Sequence, residues 1–268
     1  MIVSVNGKQV DGGEAVISVL DHGLLLGDGV FETLRTYSGR VFKYDEHYHR
    51  LQSAARRISL PLPFEKTQLK TWIDGVVSAN DLSESRVRVT VTRGVGPAGL
   101  GIDCHRQNTI IVAEEISGAD YSRGVSAVTY EGRRCLPEIK SLSYLPSVLA
   151  KQKASRRGAF EAIFVEEDIV YEGSLSNVFV FVDGILKTPK EGVLPGVTRA
   201  VVLDLAGAAG IKALEGQVGL GELMGADEVF ITFSSAGIVP LTRVDDTVKP
   251  VGPLTEKLMR HYLDETGK

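Results

Sequence analysis

Glu138-Ile139-Lys140-Ser141-Leu142-Ser143-Tyr144-Leu145 sets a single lysine among mostly apolar and small residues, just before a helix-like run. A lysine acts as a nucleophile when it can lose its proton near neutral pH, and desolvation helps by disfavouring the ammonium form. A surface lysine at a strand end is the plain alternative. Three stretches downstream weigh against it. Glu172-Gly173-Ser174-Leu175-Ser176-Asn177-Val178-Phe179 puts an acid before a small-residue turn and an apolar strand. Leu194-Pro195-Gly196-Val197-Thr198-Arg199 opens a helix, whose first backbone N–H groups form an anion site. Ile231-Thr232-Phe233-Ser234-Ser235-Ala236-Gly237 ends a strand in hydroxyls and small residues. A Schiff-base lysine, a lone acid, a helix N-terminus and a hydroxyl turn are what pyridoxal phosphate requires at its aldehyde, ring nitrogen and phosphate.

Further motifs lie outward from this centre. Asp21-His22-Gly23-Leu24-Leu25-Leu26-Gly27-Asp28-Gly29-Val30-Phe31-Glu32-Thr33-Leu34-Arg35 and Glu46-His47-Tyr48-His49-Arg50-Leu51 precede it, and Gly225-Ala226-Asp227-Glu228-Val229-Phe230 follows. In this order and spacing the chain resembles the fold-type IV pyridoxal-phosphate enzymes, or class IV aminotransferases. That group includes branched-chain aminotransferases, D-amino-acid aminotransferases and aminodeoxychorismate lyases. The resemblance runs nearly end to end.

Composition sets the outer bounds. The 268 residues are 43% hydrophobic and 24% charged, with a formal net charge of −4. This describes an ordinary globular chain with material for sizeable cores and no basic footprint for nucleic acid. Arg56-Arg57, Arg133-Arg134 and Arg156-Arg157 read as solvated helix or loop faces. No apolar run approaches a membrane span. Cys104 and Cys135 are too few for a disulfide framework, so the cytoplasm is the expected compartment. The scattered histidines lack ligand spacing, so no metal site is expected.

Asn6-Gly7 and Asp11-Gly12-Gly13 mark turns between short strands. Periodicity predicts helices over 45–58 and 64–79, with Leu51, Ala54, Ala55 and Ile58, then Leu69, Trp72, Ile73 and Val76, on their apolar faces. Arg86–Thr92 alternates as a strand, and 109–113 is another. The charged, glycine-containing stretch 114–124 then breaks the pattern, and a domain boundary is expected there, dividing 1–118 from 119–268. Beyond it the pattern predicts strands at 125–130, 162–165, 169–171, 178–182 and, last, 228–233, with helices at 147–157 and 197–209. Strands and helices without regular βαβ alternation imply an α+β first domain. The resemblance implies that the second, larger domain is strand-rich and barrel-like, with helices.

The resemblance also implies the residues of a site. Lys140 matches the catalytic lysine that holds the cofactor and moves the substrate Cα proton. Glu172 matches the acid that keeps the pyridine nitrogen protonated. Arg50 matches the phosphate arginine; guanidinium forks suit phosphate oxygens. Val197 and Thr198 would add backbone N–H groups and Ser234 a hydroxyl. Tyr144 resembles the tyrosine that branched-chain enzymes set against the cofactor's phenolic oxygen, with a core tyrosine as the alternative. Phe31, Arg35, Arg86, Arg88 and Ser235 fall on the substrate side. Arg86 and Arg88, two apart in a strand, share a face, so either a substrate carboxylate or solvent meets them. A homodimer is implied as well.

Three activities compete. The first is transamination between a hydrophobic, branched-chain-type amino acid and a 2-oxo acid such as 2-oxoglutarate. Tyr144, Arg88 and Gly96-Pro97-Ala98-Gly99-Leu100-Gly101 favour it. Thr33, in place of the usual glycine, and Ser235-Ala236-Gly237 depart from it. The second is aminodeoxychorismate lyase, releasing pyruvate and 4-aminobenzoate, which would use the extra arginines. The third is a D-amino-acid aminotransferase, whose usual Arg-x-His trap is missing from Val95–Leu100. The balance favours the first.

Overall fold

The computed structural model describes residues 1–116, 118 and 120–267. They form two compact units, Met1–Ser117 with Ile139–Tyr144, and Gly118–Glu138 with Leu145–Lys268. The boundary expected between 118 and 119 borders Ala119, which lies outside the described residues. One cut does not separate the units, because Ile139–Tyr144 returns to the first.

In the first unit, β1 (Ile2–Val5) and β2 (Lys8–Asp11) form a hairpin through Asn6-Gly7. Both turn residues have positive φ, 55° and 81°, as a tight two-residue hairpin turn requires. After a short α1 (His22–Leu26) come β3 (Gly29–Tyr37), β4 (Arg40–Val41), α2 (Tyr44–Arg57), α3 (Lys66–Ala79), β5 (Ser85–Thr92) and β6 (Thr109–Glu115). The strands form a sheet in the order β2-β1-β6-β5-β3-β4. One face supplies Val30, Leu34, Val87, Val89, Val91, Ile111 and Ala113 to a core shared with Leu51, Ala54, Ala55, Leu69, Ile73 and Val76 of α2 and α3. The helices predicted from periodicity are therefore present, and they bury the expected stripes.

The lysine segment joins this unit as a strand-like addition to the free edge of β3. Phe31 N–H donates to the Lys140 carbonyl at 2.9 Å and Leu142 N–H to the Gly29 carbonyl at 3.0 Å. Ile139 enters the same core.

The second unit contains β7 (Val125–Glu131), α4 (Leu145–Arg156), β8 (Glu161–Glu166), β9 (Ile169–Gly173), β10 (Asn177–Val182), β11 (Ile185–Pro189), α5 (Val197–Ala208), β12 (Ala213–Gly216), β13 (Val218–Gly219), α6 (Leu220–Gly225), β14 (Glu228–Phe233), β15 (Gly237–Val244), β16 (Thr247–Val248) and α7 (Pro253–Thr266). Strands β10, β14, β15, β7, β8 and β9 pair in that order, and β9 pairs with β10 to close a six-stranded barrel. Val178, Val180, Ile163, Ile231, Val239 and Leu241 fill it. The closed barrel leaves few unpaired edges. The strand expected to be last, Glu228–Phe233, is followed by β15 and β16. Pro240 within β15 obscures that strand in the sequence, since proline lowers the odds of a strand reading. It is paired here with Phe230 across β14.

Candidate active site

The two units hold different parts of the residue set. In the first, Lys140 is 8% exposed and its ammonium lies 4.6 Å from the centre of the Phe31 ring. Desolvation is what a lysine nucleophile needs. Tyr144 meets Phe31 edge-on, with ring centres 5.2 Å apart. The Arg88 guanidinium lies 3.8 Å over the same ring. Phe31 is thus the hub that gathers Lys140, Tyr144 and Arg88.

Strand register explains this gathering. Phe31, Thr33 and Arg35 of β3 face Thr90, Arg88 and Arg86 of β5 on the side of the sheet away from the core. The three arginines on that face have different surroundings. Arg35 pairs with Glu84 at 3.2 Å and lies over the Tyr37 ring. Arg86 is exposed and pairs with Glu114, its cross-strand neighbour on β6. Arg88 donates to the Thr90 hydroxyl at 3.2 Å, and among the described residues it has no carboxylate partner.

Arg50 sits on the opposite side of β3. Its Nε and Nη2 donate to the two oxygens of Glu32 at 2.8 and 2.7 Å, and Glu32 also accepts from His47 Nδ1 at 2.8 Å. Burial alone would push the Glu32 carboxyl up, but the Arg50 charge and the hydrogen bonds from Arg50 and His47 hold it well below the usual carboxylate range. Burial pushes His47 down. Glu32 thereby fixes the orientation of Arg50. Glu32 and His47 were legible only as members of motifs, although a charged residue between Val30 and Leu34, in the core register of a strand, is itself a signal.

In the second unit, Glu172 is 4% exposed. One of its oxygens accepts from Arg134 Nε at 2.7 Å and the other from Leu194 N–H at 2.9 Å. The solvated face expected for Arg133-Arg134 is therefore only half right. Arg133 is exposed, whereas Arg134 is buried in a charge-assisted pair with Glu172 and also donates to the Pro137 carbonyl. Adjacent arginines at the end of a strand-like run point to opposite sides, and no local pattern says which one finds an acid.

Val197 and Thr198 form the buried first turn of α5, and the N-cap, Gly196, provides no side-chain cap. A Cβ at Gly196 would collide with Asn177 Oδ1, whose amide donates to the Leu194 carbonyl at 2.9 Å. Asn177 pairs in register with Thr232, which is 2% exposed and whose hydroxyl has no partner among the described residues. Ser234 and Ser235 lie in the turn between β14 and β15. A helix start with open N–H groups, a glycine held close and an orphaned buried hydroxyl form a cradle suited to a phosphate. Asn177 and Thr232 were not picked out from sequence, because strand-end polar residues have ordinary structural uses.

Residues 29–244 match the amino-transferase class IV family. The chain belongs to that family. A putative branched-chain-amino-acid aminotransferase of Methanocaldococcus jannaschii is 39% identical over 276 residues, covering 98% of this chain and 96% of that one. A D-alanine aminotransferase of Listeria innocua is 36% identical over 277 residues, covering 99% and 96%. The crystal structure of a branched-chain aminotransferase from Thermoproteus uzoniensis with norvaline superposes with a TM-score of 0.93 at 32% identity, covering 100% of this chain and 95% of that one. This class IV aminotransferase therefore has the fold-type IV architecture expected from its motifs. Among its described residues no helix is long and apolar enough to cross a membrane.

Proposed function

We propose that this class IV aminotransferase uses pyridoxal 5′-phosphate to move an amino group between a hydrophobic, branched-chain-type amino acid and a 2-oxo acid such as 2-oxoglutarate. The donor set fits the cofactor: a buried lysine, a buried carboxylate and an open helix start with an orphaned hydroxyl. When bound, the cofactor supplies an aldehyde carbon and an electron-withdrawing ring. Lys140 would hold it, and its Nζ would then carry the proton leaving the substrate Cα. Glu172 would keep a proton on the ring nitrogen, with Arg134 and Leu194 N–H fixing its two oxygens. Val197, Thr198, Ser234 and Arg50 would bind the phosphate, and Tyr144 the phenolic oxygen. Phe31, Arg88 and Ser235 would meet the substrate.

One observation carries the choice of substrate. Beside Lys140 the first unit offers two aromatic rings and one arginine, Arg88, that has no acid partner among the described residues, whereas Arg35 and Arg86 already face Glu84 and Glu114. An amino acid with an apolar side chain and one carboxylate suits that surface. A substrate with further carboxylates, as lyase chemistry requires, would find those arginines paired. The similarity to D-alanine aminotransferases keeps the opposite hand as a second reading. Val16, Val19, Leu20, Leu24 and Leu25, near one another in sequence, are all more than half exposed, apolar surface suited to a second copy of the chain in a homodimer. The two free cysteines suit the cytoplasm.

The test incubates the protein with L- and D-amino acids plus 2-oxoglutarate, and separately with aminodeoxychorismate. Branched-chain L-amino acids should be converted to their 2-oxo acids. Turnover of D-amino acids alone would establish the second reading. Pyruvate released from aminodeoxychorismate without transamination would overturn both in favour of the lyase.

A further inference from the structure

Glu161, at the start of β8, is fully buried. Among the described residues no cation pairs with it; Lys151, which senses its charge, donates to the Phe160 carbonyl instead. Hydrogen-bond donors fill the carboxylate. Oε1 accepts from Ala162 N–H at 2.8 Å, from Ser174 N–H at 3.1 Å and from the Ser174 hydroxyl. Oε2 accepts from the Ser176 hydroxyl at 2.7 Å and, weakly, from Leu175 N–H at 3.4 Å. All but one of these donors belong to the turn between β9 and β10.

That turn lies between Glu172 and Asn177, which are each other's strand partners at the pairing that closes the barrel. Gly173 N–H donates to the Ser176 carbonyl at 2.7 Å. A Cβ at Gly173 would collide with Ser176 Oγ and come within 2.8 Å of Glu161 Oε2, so the turn is wrapped closely on the carboxylate. Beyond the turn, Asn177 holds the Leu194 carbonyl and Glu172 holds the Leu194 N–H. The contacts run without a break from Glu161 through the turn to Glu172, Leu194 and the start of α5. A buried ion is a weak source of stability. A carboxylate whose acceptors are saturated by one turn does, however, fix the geometry of that turn.

We infer that Glu161 is a positioning residue of the active site: it holds the Ser174–Ser176 turn so that Glu172 keeps its place and aim. The inference rests on the reading of Glu172 as the partner of the cofactor's ring nitrogen. Glu161→Gln would place an amide N–H₂ against the donors of the turn, and the turn would shift. Displacements of about 1 Å cost up to a hundredfold in rate.

The experiment compares the holoenzymes of Glu161→Gln, Glu172→Gln and the double variant. Their turnover, their thermal unfolding and the pH titration of the bound cofactor's visible absorption are measured. Glu161→Gln should lower kcat roughly ten- to a hundredfold with KM little changed. It should also displace the spectroscopic titration in the same direction as Glu172→Gln. The double variant should match Glu172→Gln alone within about twofold, because the two residues act through one carboxylate. Effects that multiply in the double variant, or an unmoved spectroscopic titration, would overturn the inference and leave Glu161 a residue of the fold alone. If Glu161→Gln does not fold, Ser176→Ala replaces it; a folded Ser176→Ala protein with the wild-type titration also overturns the inference. If Glu172→Gln itself behaves as wild type, the reading of Glu172 fails. If Glu172→Gln is impaired and Glu161→Gln is not, only the present inference fails.

Discussion

Glu32→Gln removes one charge from the buried cluster under β3. Glu32 is 1% exposed and holds Arg50 through two hydrogen bonds of 2.8 and 2.7 Å. Breaking a buried pair from one side costs about 3–5 kcal/mol, because the remaining charge loses its partner. Glutamine keeps one acceptor oxygen for Arg50, so a loss near the lower end, about 3 kcal/mol, is expected. Trp72 is the chain's single tryptophan and packs on this unit's core, so its fluorescence during urea unfolding of the apoprotein reports on this unit. The pH dependence has a definite sign. The folded-state pKa of Glu32 is depressed, so its contribution is complete above the unfolded value of about 4.3 and is lost as pH falls below it. The gap between wild type and variant should therefore be fully present at every pH above about 4.3. Below about pH 4.3 it should narrow by up to about 1.4 kcal/mol per unit. His47, depressed by burial and present in both proteins, adds a loss to each as pH falls below about 6.5, and a larger one in the variant, which lacks the Glu32 charge that raises the His47 pKa. A gap under about 1 kcal/mol, or one that ignores acidification, would refute the assignment of a stabilising buried pair.

Other outcomes follow from the same geometry. Lys140→Ala should abolish both turnover and the cofactor's yellow colour, while phosphate contacts still retain some cofactor; an active variant would remove the central assignment. Arg88→Ala should cost roughly ten- to a hundredfold in kcat/KM, the worth of a charge-assisted bond of about 1.5–3 kcal/mol. Arg86→Ala, which breaks an exposed ion pair, should cost about 1 kcal/mol or less in stability, with little effect on turnover; equal kinetic damage from the two would contradict the distinction drawn between them. Leu24→Lys with Leu25→Lys should shift sedimentation from dimer toward monomer, and an unaltered dimer would place the interface elsewhere.

Much of this protein is legible along the chain. The helices α2 and α3 follow from apolar spacing, β5 from alternation, and the first hairpin from Asn6-Gly7. These features depend on near neighbours, and near neighbours carry their own periodicity. Strand β15 was hidden because Pro240 contradicts a local rule, and the long-range pairing with β14 overrides it. The order of motifs was sufficient to indicate the class IV family, with Lys140 and Glu172 as its expected lysine and acid.

The fate of each charge was decided elsewhere. Arg86 and Arg88 look equivalent in sequence, yet cross-strand register sets Glu114 beside Arg86 and Val112 beside Arg88. Arg133 and Arg134 are adjacent, yet Arg134 alone turns inward to Glu172. Ile139 follows Glu138 directly, yet Ile139–Tyr144 leaves the second unit's chain to pair along β3. The sequence by itself determined which residues form turns, which faces are apolar and which chemistry is present. Tertiary structure decided which carboxylate meets which cation and which hydroxyl is buried at a strand end. Those pairings depend on groups far apart in the chain, and only strand register and burial bring them within hydrogen-bonding distance.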